Sequence, residues 1–416
     1  MKGANMKAAF QRLITLSIST AILPRIPIAA MMTATTLSIA ASSAAAHPFD
    51  RLFVFGDSTV DTGWYNFRPS GEAKFDQFLS DYNLARPRNN PPTYGMGKPT
   101  SSPGPVSVEV LARLIGTDVL PADQVILPQA LPLLASQAGP QNSEVIAQLP
   151  DGLRPHLTGT NYATGGARNH YANTTGIGLF PNAVPTETQI DNYLQHHEPD
   201  GRSLYVISSG GNDVSYAISF APDPTTYLTG AADSLAAAIA NLQERGARHI
   251  IVTNLPESFG TAEQRTLRHL YNTELMSELT ALGVRFASAD VDGVRAQIVA
   301  DPAAFGITHT TNAAGDRACT NPSAALGITS AFAYLCSPIS PVSQPISASF
   351  AEQALFSDNE HWASGGHSIL GSYFFCLAER SWPHLFRHLH EDSFPFREPH
   401  PPTACSTFQP IAVTAR

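Results

Sequence analysis
Positive charge is scarce in this 416-residue chain: 25 lysines and arginines stand against 34 aspartates and glutamates, a formal net charge of −9. A surface of that sign has no electrostatic hold on nucleic acid or on an anionic membrane, which excludes both as charge-driven partners. Long apolar runs are also missing after the first 46 residues, where no window approaches the length of a membrane span. There is no internal repeat. Charged residues make up 14 % of the chain and apolar ones 43 %, which excludes a mainly disordered protein and suits one large packed domain or two ordinary ones. Cysteine is absent before Cys319, and the spacing of the four that follow fits no zinc pattern. His384, His388 and His390 have helical spacing, but no acid or cysteine cluster completes a metal site around them, and they read as a solvated tail. No metal and no organic cofactor is expected.

What is present begins with a leader. The first 46 residues carry Lys2, Lys7, Arg12 and Arg25 and no acid, then an apolar, alanine-rich segment, then Ala44-Ala45-Ala46 before His47. Basic, apolar and small residues in that order predict a secretory signal peptide cut near Ala46. A membrane anchor is the competing reading, weakened by Pro27 and by the serines and threonines in the apolar stretch. Cleavage removes four of the 25 basic residues, leaving 21 against 34 acids and a charge of −13. The mature protein is then secreted or periplasmic, with no stable membrane insertion. In that oxidising setting Cys319, Cys336, Cys376 and Cys405 are expected to form two disulfides. Three connectivities are possible; Cys319 with Cys336 is favoured because it would staple a segment with little structure of its own.

The clearest strand signal is Leu52 to Phe55, a short continuous apolar run of the kind covered on both faces in a parallel sheet. Gly56 ends it. Residues 64–105, rich in proline, glycine, asparagine and aromatics, read as a long loop. A loop of that size commonly lines a site, as Trp64, Tyr65, Phe67, Phe75, Phe78, Tyr82 and Tyr94 suggest. A helix from about Val106 to Ile115 precedes an irregular, proline-dotted stretch, 117–158. From Asn161 the pattern alternates: strand Asn161 to Thr164, helix Thr186 to His197, strand Ser203 to Ser208, helix Tyr227 to Glu244, strand His249 to Thr253, helix Ala262 to Leu282, strand Val284 to Ser288. Such alternation predicts a parallel α/β sheet with helices on both faces. Residues 301–357 lose the rhythm and read as a stapled surface excursion. A helix from about Ser364 to Arg380 closes the domain, and the tail after Pro383 is expected along its outside.

In open parallel sheets, sites lie beyond the carboxyl ends of the strands, and Ser58 stands just past such an end. A serine hydroxyl becomes a nucleophile when a neighbouring base takes its proton and a third group holds the base's tautomer. Asp358-Asn359-Glu360-His361 offers that pair, with acid and imidazole on one side of a single turn. Asp358 can then accept the Nδ1 hydrogen bond of His361 and leave Nε2 for Ser58. Donors for a developing oxyanion are the Gly166 N–H and the Asn212 amide, each past a strand end on the edge that carries Ser58. Taken singly, Ser58 reads as a helix cap, Asp358 and His361 as a surface ion pair, and the glycine and asparagine as turn residues. Their convergence on one edge is what points to chemistry. Asp57 reads as structural, His367 as packing or surface, Trp362 as an acyl-pocket wall or packing, and Asn173-Thr174-Thr175 as a sequon that matters only in a eukaryotic host.

These residues resemble the GDSL esterases and lipases of the SGNH hydrolase superfamily. The first block of that group is similar to Gly56-Asp57-Ser58-Thr59-Val60-Asp61-Thr62-Gly63, the second to Asn161-Tyr162-Ala163-Thr164-Gly165-Gly166, the third to Gly210-Gly211-Asn212-Asp213 and the fifth to Asp358 through His361. They occur in the family's order over about residues 50 to 380. The resemblance implies a flavodoxin-like three-layer α/β/α sandwich with about five parallel strands. It implies Ser58 as nucleophile, His361 as base and Asp358 as its orienting acid, with Ser58 N–H, Gly166 N–H and Asn212 as the oxyanion hole. The activity implied is cofactor-free hydrolysis of small-molecule esters, of lipids or other acyl groups. A carbohydrate acetylesterase and a lipid acyltransferase share the same triad, and a secreted binding module is the reading outside enzymes. On this frame residues 1–46 are the signal peptide, 47–382 the hydrolase domain with inserts at 64–105, 117–158 and 301–357, and 383–416 a C-terminal tail. The competing nucleophile elbow G-x-S-x-G does not occur, because Val60 stands where its second glycine would be.

Overall fold
Successive side chains of a strand point to opposite faces, and the run from Leu52 to Phe55 is apolar on both, so it can only sit between two layers. In the computed structural model, which describes residues 47–66, 70–84, 96–101, 103–122, 159–172, 180–320, 332–340, 342–387 and 403–408, that run is the core of strand β1 (Arg51–Gly56). Strands β2 (Ser203–Ser208), β3 (His249–Thr253) and β4 (Ala287–Ala289) complete a four-stranded parallel sheet in the order β1-β2-β3-β4. Val54 is in register with Val206, and Val206 with Ile251.

Nine α-helices occur among the described residues: α1 (Ala73–Leu84), α2 (Ser107–Ile115), α3 (Thr186–His196), α4 (Gly211–Phe220), α5 (Pro224–Glu244), α6 (Ala262–Ala281), α7 (Val291–Ala300), α8 (Ala348–Gln353) and α9 (Ser364–Ser381). Leu52, Val54, Leu204, Val206 and Ile251 pack into one core with α2, α7 and α9. Phe53, Phe55, Tyr205, Ile207, Ile250 and Val252 pack into a second with α3, α4, α5 and α6. At about 1.5–3 kcal/mol for each large apolar side chain fully buried, both faces draw helices onto them. The result is the expected α/β/α sandwich.

The fifth expected strand does not form as a regular one. Residues 160–164 run parallel beside β1, with Val54 N–H donating to Thr160 O (3.0 Å), Tyr162 N–H to Val54 O (2.8 Å) and Thr164 N–H to Gly56 O (3.1 Å). Asn161 Oδ1, however, accepts the Ala163 N–H at 2.8 Å, and a local side-chain bond of this kind competes with a strand ladder. The strand expected from Val284 begins only at Ala287, because Arg285 N–H donates to Gln243 Oε1 at 2.6 Å instead of to a neighbour strand.

The insert 64–105 is not all loop, since it holds α1. Asp76 accepts the Ser70 and Gly71 N–H groups at 2.6 and 3.0 Å, which ties the incoming chain to the helix, and Glu72 accepts that of Phe75 at 2.7 Å, so a carboxylate meets one of the first free N–H groups of the helix. Its aromatics form a core rather than a site wall: Trp64, Tyr65 and Phe75 bury against Phe180 and Tyr334, with Phe78 packed alongside. Phe67, Tyr94 and the Tyr82 side chain lie outside the described residues, as do the leader 1–46, most of 117–158, the sequon at Asn173, and His388 and His390.

Two disulfides are present, Cys319–Cys336 and Cys376–Cys405, with Cα separations of 5.8 and 5.4 Å. The first is the favoured pairing. The second fastens residues 403–408 to α9, and Phe386 and Phe408 enter the same core as β1 and α9. None of the described helices is long and apolar enough to cross a membrane.

Candidate active site
The chain leaves β1 through Gly56, whose φ of 144° suits glycine and where an added Cβ would lie 1.9 Å from Ser208 O. Asp57 N–H donates to that same oxygen at 3.0 Å, and Asp57 Oδ1 accepts the Thr59 N–H at 2.9 Å. Asp57 is buried, and burial raises its carboxyl above the ordinary value against the pull of the Thr59 bonds. This is the structural role its position suggests. Ser58 stands on the turn so formed, partly exposed.

Asp358 and His361 lie in a turn closed by the bridge between Phe356 and Trp362. Asp358 Oδ2 accepts His361 Nδ1–H at 2.8 Å and the Ala333 N–H at 2.7 Å, while Oδ1 accepts the Glu360 and His361 N–H groups at 2.8 and 2.7 Å. Burial opposes ionisation of Asp358, but the facing imidazole and these donors hold its carboxyl below the usual range. Burial likewise pushes His361 down, and the charge and hydrogen bond of Asp358, with Glu360 and Asp57 behind them, outweigh it and lift the imidazole to about 9. With Nδ1 committed, Nε2 is the nitrogen left for proton transfer.

Asn212 stands in the first turn of α4, just past the end of β2. Its Nδ2 donates to Ala167 O at 2.9 Å, and an amide has a second proton to give. On the other flank, Gly165 N–H donates to the buried Asp61 Oδ2 at 2.9 Å. Gly166 is therefore held from both sides, at φ 78°, where a Cβ would sit 2.9 Å from Phe180. Among the described residues neither the Ser58 nor the Gly166 N–H donates a hydrogen bond. Asp61 also binds the Gly63 and Trp64 N–H groups, and burial pushes its carboxyl up to about 6.

Ser58, Asn212 and His361 line one cavity of about 120 Å³; Asp358 lies behind His361, and Gly166 is not among the lining residues. Leu255, Phe259, Val291 and Trp362 form its apolar wall, and Arg268 and Glu360 its charged rim. Trp362 thus both lines the cavity and packs in the core. His367 reaches the cavity too, but its Nδ1 accepts the Ser107 N–H at 3.2 Å and its Nε2 faces Pro99 O at 3.4 Å. Burial pushes it down to about 3, so it stays neutral. Sequence reasoning missed Asn254, Leu255 and Phe259, although their place just past the end of β3 is the same signal that marks Ser58. It also missed Ala333, whose backbone donor nothing in the sequence announces.

The model of the GDSL-like lipase/acylhydrolase family matches residues 52–374. A Pseudomonas putida protein described as an uncharacterized protein in the trpE-trpG intergenic region is 25 % identical over 305 residues, which cover 68 % of this chain and 43 % of that protein. A GDSL esterase/lipase of Arabidopsis thaliana is 23 % identical over 305 residues, covering 63 % of this chain and 72 % of the plant protein. The chain therefore spans less than half of the bacterial relative and most of the plant one. The family match runs from β1 into α9 and takes in Ser58, Gly166, Asn212, Asp358 and His361, and on its extent, well over half of the sequence, the chain belongs to the GDSL-like lipase/acylhydrolase family of the SGNH hydrolases.

Proposed function
We propose that the protein is an exported serine hydrolase that cleaves carboxylic esters through an acyl-enzyme. His361 takes the Ser58 proton at Nε2 as Ser58 Oγ attacks the ester carbonyl. Ser58 N–H, Gly166 N–H and the Asn212 amide stabilise the tetrahedral oxyanion, and His361 returns the proton to the leaving alcohol. Water then repeats the sequence on the acyl-enzyme and releases the acid. The observation that carries this reading is His361, tied through Nδ1 to a buried Asp358 and lining the cavity that Ser58 and Asn212 also line.

The size of the cavity argues for a small acyl group. At about 120 Å³ it is no larger than an engineered protein cavity of about 150 Å³ that accepts benzene, which suits acetyl to butyryl better than a fatty chain. The described aromatics of the 64–105 insert, Trp64, Tyr65, Phe75 and Phe78, which would favour a longer chain, are occupied in a cluster of their own. Ser215, Asn254 and Glu360 on the cavity lining offer hydrogen bonds to an oxygen-rich alcohol, and a carbohydrate acetylester is the second reading.

The test is a panel of p-nitrophenyl esters of graded acyl length, with acetylated sugars beside it, run on the parent and on Ser58→Ala. The parent should be fastest on short acyl groups, and the variant should lose roughly 10⁴- to 10⁶-fold in kcat. Equal cleavage by a folded Ser58→Ala protein removes Ser58 from the chemistry. A maximum at long chains removes the short-acyl reading, and failure of the parent to react with a fluorophosphonate returns the fold to the binding modules.

A further inference from the structure
The stapled segment 301–357 belongs to none of the four sequence blocks, yet it reaches the site. Three of the four hydrogen bonds that hold the Asp358 carboxylate come from its own turn, from Glu360 N–H, His361 N–H and His361 Nδ1–H. A carboxylate held only by its own turn moves with that turn. The fourth bond, from the Ala333 N–H at 2.7 Å, is the one that fixes it to a separate part of the chain.

The next residue, Tyr334, is completely buried, and its ring stands at 90° to that of His361 with centroids 5.6 Å apart. Its hydroxyl lies 3.4 Å from Asp61 Oδ2, the atom that receives the Gly165 N–H, and a Cβ on Gly165 would come 1.7 Å from that hydroxyl. One side chain thus abuts the imidazole, the turn after Ser58 and the loop that carries Gly166. The segment is also returned to the turn that bears Asp358: Cys336 is bonded to Cys319, and Cys319 N–H donates to Ser357 O at 3.0 Å. Bonds and chain close a ring through Ala333, Asp358, Ser357, Cys319 and Cys336.

We infer that Ala333 and Tyr334 are positioning residues for the Asp358–His361 pair, presented by the disulfide-fastened segment as a shelf against which the pair is held. The inference rests on the catalytic reading above. The shelf acts through Asp358 and His361 and touches no substrate, so its loss should lower kcat while leaving KM near the parent value.

Two variants and one rescue control test this. Ala333→Pro deletes the N–H at the first residue of a short 3₁₀ turn, after an extended Phe332 (φ −139°, ψ 112°), a backbone that accepts proline. Tyr334→Leu removes the ring edge, and Tyr334→Phe restores the ring alone. For a displacement of about 1 Å in a catalytic group the expected loss in kcat is about 10²-fold. The acidic limb of the kcat/KM profile should move to lower pH as Asp358 loosens its hold on His361, and Tyr334→Phe should recover most of the rate. A cooperative melt selects the folded variants, and if one of the pair does not fold the other is read. Parent-like kcat and an unmoved limb in a folded Ala333→Pro or Tyr334→Leu protein overturn the inference. So does a loss that appears only in KM. Parent activity lost in Ser58→Ala but kept in both shelf variants refutes the shelf alone, whereas activity retained in Ser58→Ala refutes the catalytic reading beneath it.

Discussion
Gly56 shows how much one residue decides at the end of β1. Both of its backbone groups are met by the Gln189 side chain of α3, N–H to Oε1 at 2.7 Å and Nε2 to O at 2.9 Å, and its O also accepts the Thr164 N–H at 3.1 Å, so the end of the strand is pinned just where Ser58 must emerge. At the other end of the proposed relay the residue that matters is Asp358. Asp358→Asn keeps the shape but cannot hold His361 in the tautomer that leaves Nε2 basic, and kcat should fall about 10⁴-fold with the fold retained. The pH profile carries a second mark. The base must be unprotonated to act, and Asp358 raises the His361 pKa above the ordinary 6.5, so the acidic limb of kcat/KM in the parent should lie on the alkaline side of 6.5. In Asp358→Asn it should move back down. A parent limb below 6.5 would count against His361 as the base. The same raised pKa gives His361 a stabilising contribution that is full below 6.5 and lost as pH rises through about 9.

Among elements, the least expected is the segment between Cys319 and Cys336. Read from composition it is a surface excursion. In the fold, Phe332 and Tyr334 join the aromatic cluster of the 64–105 insert, so two inserts that share no sequence pattern stabilise each other behind His361. The disulfide closes a span of 17 residues, for which chain entropy predicts about 3 kcal/mol. Cys319→Ala with Cys336→Ala should lower the unfolding free energy by about that amount in denaturant titration, with a somewhat larger m-value because the freed unfolded chain exposes more surface. An unaltered midpoint would show that the surrounding hydrogen bonds hold the segment without the bond.

For the whole molecule, the pH dependence of stability is a balance of buried groups with opposite signs. His367, neutral in the core, has its pKa lowered from 6.5 to about 3 by burial. Its contribution is present above 6.5 and lost as pH falls toward 3. Asp61 and Asp213 are raised by burial to about 6 and about 7, and theirs is lost in the other direction, as pH rises through those values. The difference between the parent and His367→Gln isolates the histidine: the variant should lose less stability than the parent between pH 6.5 and 4 in urea unfolding at stepped pH. Parallel curves would mean that His367 does not titrate on unfolding. What could be read without coordinates was whatever repeats along the chain or marks a strand end. The buried runs of β1, β2 and β3, the long helices α5, α6 and α9, and Ser58, Gly166, Asn212, Asp358 and His361 as candidates all follow from short-range spacing. Tertiary structure alone decided that the described aromatics of the first insert face one another and not the cavity, and that Ala333 and Tyr334 stand behind His361. Each of these depends on groups far apart in sequence coming within hydrogen-bond or van der Waals reach, and no local pattern of residues encodes such a meeting.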